Sequence, residues 1–246
     1  GMQAGSLWIV AARPGRAKSS FCSQIAVHAA QKGARVLVFA MEMPPASVAR
    51  RMLLSEASVD RFELRQAARK ESAWARIARG YGALSQLPLW FDGREAPTLA
   101  QLRASVRQQA AREGLDLVVV DYLQRCSVDP RANRWEAVGD LAKGLKNIAL
   151  SLDVPVGAAC QTNADTEEKR PTMADLAQSR QVISAEADVI AFLHPEKPDA
   201  WRTSDFPQVN LLVDKQRDGA TMAIPLSFER PYTRFVSMAK QEWDGQ

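Results

Sequence analysis

Histidine and cysteine are scarce in this sequence, and long apolar runs and charge tracts are missing. The two histidines, His28 and His194, and the three cysteines, Cys22, Cys126 and Cys160, share no metal-ligand spacing. That argues against a zinc site, and an odd number of thiols argues against a disulfide framework. Reduced thiols of this kind fit a cytoplasmic protein. No stretch approaches eighteen apolar residues, and no basic-then-apolar leader opens the chain, so neither a spanning helix nor a membrane partner is expected. Gly1 ahead of Met2 reads as a cloning scar. Lys plus Arg number 32 against 28 Asp plus Glu, a net charge of +4. With no basic tract to concentrate it, this balance permits nucleic-acid contact without demanding it. Internal repeats are absent.

What is present is enough apolar residue for one large core, 46% of 246 residues, which predicts a single domain. Short buried-strand patterns alternate with helical ones, as a parallel sheet with crossover helices requires. Strands are expected at Leu7–Ala11, Arg35–Met41, Pro88–Phe91, Leu117–Asp121, Val154–Ala159 and Asp188–Leu193. Helices are expected at Ser19–Gln31, with Phe21, Ile25, Ala26 and Ala29 on one face, then after Pro44-Pro45, within Val59–Leu87, from Thr98 to about Glu113, and over Trp135–Leu152. Ser127–Arg134 and the polar run Thr162–Thr172 read as loops, the second a mobile one able to meet a partner. The last third is strand-rich, with Val209–Asp214, Met222–Phe228 and Arg234–Met238 forming an antiparallel extension around the Asp218-Gly219 turn.

The chemistry gathers where strands end. Arg13-Pro14-Gly15-Arg16-Ala17-Lys18-Ser19-Ser20, between the first strand and its helix, reads as an altered phosphate-binding loop. Such a loop aims backbone N–H groups and a helix N-terminus at a polyphosphate. Lys18 would reach the β- and γ-phosphates of ATP and Ser19 would hold Mg²⁺. The usual pattern has glycine where Ala12 and Ala17 stand. Glu42 follows the second strand, Asp121 ends a central one, and the strand beginning at Val154 delivers Gln161. Lys215 and Arg217 project to one side at the tip of a hairpin. Phosphoryl transfer to water needs a phosphate cradle, a metal held by a hydroxyl and a carboxylate, a base that positions water, and positive charge. Each part has a candidate. His194 reads as structural.

The stretches ARPGRAKSSF, FAMEMP, ARRMLLSEA, LDLVVVDYLQ, GDLAKGLKNIALSLDVPV, EADVIAFL and VDKQRDG followed by YTRF, in this order and spacing, resemble the C-terminal motor domain of the DnaB-type replicative helicases. These are a branch of the RecA-like P-loop ATPases. The resemblance covers about Gly5 to Phe235. It implies an α/β fold and an ATP-dependent motor that moves on single-stranded DNA and unwinds duplex during replication. It implies that Glu42 orients the attacking water, that Asp121 supports the metal and that Gln161 senses the γ-phosphate. Lys215 and Arg217 would complete a neighbouring subunit's site, so a hexameric ring is implied, with a loader or primase as further partners.

The sequence departs from the family at several points. A Cβ at Ala17 would strain the loop if its φ is positive. In DLAQSRQVISAEAD, shaped like the family's DNA-contacting loop, Ala177 and Gln178 replace Arg and Glu and Arg180 replaces Gly, leaving Gln178, Ser179 and Arg180 as the DNA-binding candidates. Thr162-Asn163 replaces Ser-Arg. The family's N-terminal helical domain and linker helix are not in this sequence, which implies a truncated chain or a short, phage-derived relative. Two other readings stay open: a degenerate member that binds nucleotide or other subunits without unwinding, and a recombinase-like ATPase that coats DNA as a filament.

Overall fold

The fully buried apolar runs VLVFA and LVVVD cannot face water on either side, and they pair in the middle of one half of a nine-stranded sheet. The computed structural model describes residues 1–66, 71–127, 134–162, 169–176 and 180–238. Its strands are β1 (Leu7–Ala12), β2 (Val36–Ala40), β3 (Leu89–Asp92), β4 (Leu117–Asp121), β5 (Val156–Gln161), β6 (Val189–Pro195), β7 (Gln208–Gln216), β8 (Met222–Glu229) and β9 (Arg234–Ser237). They lie in the order β3-β2-β4-β5-β1-β6-β7-β8-β9. Pairing is parallel from β3 to β6 and antiparallel from β6 to β9, which is the expected parallel core with its antiparallel extension.

The helices are α1 (Lys18–Gln31), α2 (Pro45–Ala57), α3 (Arg61–Gln66), α4 (Glu71–Ser85), α5 (Leu99–Arg112), α6 (Arg134–Leu152), α7 (Arg180–Glu186) and α8 (Pro198–Thr203). They cover both faces of the sheet. Alternate residues of β2 and β4 supply the two layers: Leu37, Phe39, Val118 and Val120 meet Leu102 and Val106 of α5, Leu141 and Leu145 of α6 and Ile183 of α7. Val36, Val38, Leu117 and Val119 meet Cys22 and Ala26 of α1 and Val48 and Met52 of α2. α5 starts where expected, because Thr98 and Gln101 form a reciprocal capping box that satisfies two of the helix's free N–H groups.

Three expectations are corrected. α1 turns Cys22, Ala26 and Ala30 inward, while Phe21, Ile25 and Ala29 are only half-buried. The reason is steric: a helix packed on a flat buried strand layer approaches closely through small residues, and the larger Phe21 reaches sideways to an edge-on contact with Phe235 of β9. β6 runs through His194-Pro195 to pair with β7 as far as Pro195–Val209. Lys215 is not at the hairpin tip; it lies within β7 opposite Ile190. The short helix α8, opened by Pro198 in its first turn, had no counterpart among the expected elements.

Candidate active site

Four parallel strands end at one edge, where open α/β sheets place their ligands. The register aligns those ends: Ala40 of β2 pairs with Asp121 of β4, and Ala12 of β1 with Gln161 of β5. The side chains that follow therefore converge on an open cleft of about 610 Å³, lined by residues 14–20, Glu42 and Gln161. Asp121 does not line the cleft; it is buried within reach of Ser19, Lys18 and Glu42, which do.

The loop between β1 and α1 closes around Lys18. Its Nζ donates to the carbonyls of Ala12 (3.0 Å) and Arg13 (2.9 Å), so the ammonium sits within the turn of the loop. Burial pulls the Lys18 pKa below the ordinary lysine value, and the carboxylates of Glu42 and Asp121 oppose that shift. The two alanines at glycine positions behave differently. Ala12 is an ordinary strand residue, buried and paired with Gln161, and carries no conformational cost. Ala17 has φ 55° and ψ 26°, the left-handed conformation, as N-cap of α1. An L-residue there costs roughly 1–2 kcal/mol. The methyl group is not wasted, because it packs against the cluster of Val10, Ala12 and Trp201.

Ser19 stands between two carboxylates. Its Oγ donates to Glu42 Oε2 at 3.0 Å, and the same hydroxyl helps hold the Asp121 carboxylate. A hydroxyl has one proton, so it cannot serve both at once. Asp121 Oδ1 is buried without a hydrogen-bond partner. Its pKa is raised to about 6, first by burial and further by Glu42, against the opposing pull of Ser19 and Lys18.

This donor set fits Mg²⁺. A hard divalent cation takes oxygen ligands and binds protein through one or two groups plus substrate phosphates. Ser19 Oγ and the orphaned Asp121 oxygen, the latter directly or through water, would supply that pair, and Lys18 and the N-terminus of α1 would be left for the phosphates. Bound there, the ion would neutralise charge on the transferring phosphate oxygens. No cluster of three or more metal-ligating His, Cys, Asp or Glu side chains occurs among the described residues.

Other expected residues lie apart. Arg13 does not line the cleft; it lines a small pocket with Arg16, Thr162 and His194. Lys215 Nζ donates to the carbonyls of Ser184 and Ala187 (2.6 Å to the second), and Arg217 donates to Ala185 O (2.6 Å). Arg217 also pairs with Asp188 at 3.4 Å. The expected projecting pair is therefore folded onto the C-terminal end of α7, whose exposed carbonyls attract cations. Gln178 and Ser179 lie outside the described residues, as does 163–168 of the expected mobile loop; Arg180 is the first residue of α7.

Sequence reasoning missed several residues that line the cleft, Trp201, Phe228, Arg230 and Arg51 among them. Trp201 of α8 stacks on Phe228 of β8 (5.2 Å between ring centres, 18° between planes). The guanidinium carbons of Arg16 and Arg230 each lie 5.2 Å from a Trp201 ring centre, which fixes the loop arginine against the antiparallel end of the sheet. Lys197-Pro198 was a usable start signal for that helix. Arg51 of α2 also lines the cleft and donates to Met43 Sδ at 3.1 Å.

A family model described as the DnaB-like helicase C-terminal domain matches residues 1–237. The chain belongs to that family. Among curated proteins, the DnaB-like domain is 31% identical over 247 residues to the replicative DNA helicase DnaC of Bacillus subtilis, covering 98% of this chain and 54% of that protein. It is 34% identical over 244 residues to the replicative DNA helicase DnaB of Leifsonia xyli, covering 97% and 53%. The chain thus spans about half the length of the curated relatives it matches. Among solved structures, a chain described as an ATPase domain superposes with a TM-score of 0.87 at 23% identity, over 96% of this chain and 86% of that one. A DnaB-like replicative helicase studied with its primase gives the same TM-score and identity, over 97% and 59%. These two likenesses establish the RecA-like fold of the DnaB-like domain. No helix among its described residues is long and apolar enough to cross a membrane.

Proposed function

We propose that this domain is an ATP-driven motor that translocates on single-stranded DNA and separates duplex strands during replication. The observation that carries the reading is that Lys18, Ser19, Glu42 and Gln161 line one cleft, with Asp121 buried beside Ser19, the set coming from four strand ends. Lys18 and the α1 N-terminus hold the phosphates, Ser19 and Asp121 hold Mg²⁺, Glu42 orients water and Gln161 senses the γ-phosphate. Lys215 and Arg217 lie outside the cleft of their own chain, which supports their use at a neighbour's nucleotide in a hexameric ring. Residues 178–180 and the backbone around them are the DNA contact. Loader and primase are the further partners this reading admits.

The test is ATP turnover by the assembled protein with and without single-stranded DNA. Turnover stimulated by DNA is expected, with a DNA affinity that falls steeply with salt, as phosphate tracking requires. Absence of turnover under both conditions would sink the reading.

The left-handed Ala17 favours a second reading, a member that binds nucleotide without productive turnover. Ala17→Gly separates the two. Relief of the left-handed strain is offset by the lost methyl packing and by the larger entropy of an unfolded glycine. A stability change within about 1 kcal/mol and an ATP affinity change below roughly fivefold are therefore expected. A rise in turnover beyond tenfold would instead mean that the natural loop is impaired.

A further inference from the structure

We infer that Gln124 is a positioning residue that fixes Gln161 by standing in for a strand that has ended. β4 and β5 pair only as far as Val120–Ala158, whereas β5 continues beside β1 to Gln161. Along a strand, successive residues turn their N–H and C=O groups to opposite edges. The Thr162 N–H bonds to Ala12 O on the β1 side. Gln161 therefore turns both backbone groups to the β4 side, where β4 no longer supplies partners.

The Gln124 side chain fills that gap. Its Oε1 accepts from Gln161 N at 3.2 Å and its Nε2 donates to Gln161 O at 3.2 Å, so the side-chain amide pairs as a peptide unit would. The second Nε2 proton goes to Cys160 Sγ at 3.2 Å. The pairing also fixes which way round the Gln124 amide lies. Gln124 sits in the one-turn 3₁₀ helix Leu123–Arg125, immediately after Asp121. It does not line the nucleotide cleft, whereas Gln161 does. The amide thus ties the segment leaving the metal carboxylate to the residue that faces the γ-phosphate. Without it, the N–H and C=O of Gln161 lose the amide that pairs them, and its side chain loses a fixed origin.

The inference rests on the reading of Gln161 as a γ-phosphate sensor, and the experiment keeps the two apart. ATP turnover, ATP affinity and thermal melting are measured on the full chain in the presence of single-stranded DNA for Gln124→Met, Gln161→Ala and the double variant. Methionine keeps the length and most of the volume of Gln124 and removes all three hydrogen bonds.

Gln124→Met is expected to lower kcat roughly 10- to 100-fold, because small misplacements of a positioned group carry that cost. ATP affinity should stay unchanged, and melting should fall only by the few degrees that lost hydrogen bonds carry. The double variant should be no slower than Gln161→Ala alone, since Gln124 acts only through Gln161. A merely structural role would give multiplicative losses in kcat, and that result overturns the inference. A slowed Gln161→Ala beside an unaffected Gln124→Met overturns the inference alone. An unaffected Gln161→Ala overturns the sensor reading and the inference with it.

Discussion

Glu42→Gln is expected to lower ATP turnover by roughly 10²- to 10⁴-fold, the range that a positioned general base contributes, while ATP binding changes little. Glu42 lies two residues beyond β2, exposed to the cleft, with one oxygen already engaged by Ser19 Oγ at 3.0 Å. That hydroxyl is the group the metal would take as ligand. With Ser19 Oγ taken up as a metal ligand, the Ser19–Glu42 bond would be lost and the Glu42 carboxylate would be left at the cleft wall for water. Glutamine keeps the length and can still accept a bond from Ser19, but it cannot draw a proton from water. Binding should survive because Lys18 and the helix N-terminus, the proposed holders of the phosphates, are untouched. The check is a pair of measurements on one preparation: ATP affinity by titration and turnover at saturating ATP and Mg²⁺. Equal loss of affinity and turnover would place Glu42 in the cradle, and unchanged turnover would assign the base elsewhere.

How much of this was legible in the sequence depends on the kind of information each feature carries. Buried parallel strands leave a continuous apolar run with a polar residue at the end, so LVVVD gave both the position of β4 and the placement of Asp121 at the ligand edge. The loop before Lys18 was legible because strand, turn and helix patterns meet there even without the two glycines. The φ of Ala17 was not legible, since sequence states only what that value would cost.

The inward face of α1 was misread for a related reason. Periodicity ranks residues by apolarity, whereas close packing on a sheet selects Cys22, Ala26 and Ala30 by size. Trp201 and Gln124 were missed because their partners are distant in sequence or are backbone atoms: Trp201 meets Arg16 and Arg230, and Gln124 meets the main chain of Gln161. No pattern within a short window encodes such pairings. The resting place of Lys215 and Arg217 on the carbonyls of α7 belongs to the same class.

Asp121→Asn should stabilise the nucleotide-free domain at pH 8 while abolishing Mg²⁺-dependent turnover. In the folded chain the Asp121 carboxyl has a pKa of about 6, above its ordinary value of 3.8, chiefly because it is buried. Between those two values the folded state holds a proton that the unfolded state has released, so stability falls as pH rises through this window and stays low above it. Two pKa units correspond to about 3 kcal/mol, an upper figure for the gain on removing the charge. Part of it is lost again because the Asp121 charge also steadies the buried ammonium of Lys18, and because a buried amide needs partners of its own. A net gain of roughly 1–3 kcal/mol at pH 8 is expected, with little difference between the two proteins near pH 4. Urea unfolding of both proteins at pH 4, 6 and 8, with EDTA and without nucleotide, measures it. The variant should also lose the fall in stability that the parent shows between pH 4 and 6. A variant less stable than its parent at pH 8 would mean that the carboxylate is well solvated or paired there, and would contradict its unmet oxygen. The expected result would show that the fold carries a standing cost at Asp121, one that a divalent cation bound with its nucleotide would relieve.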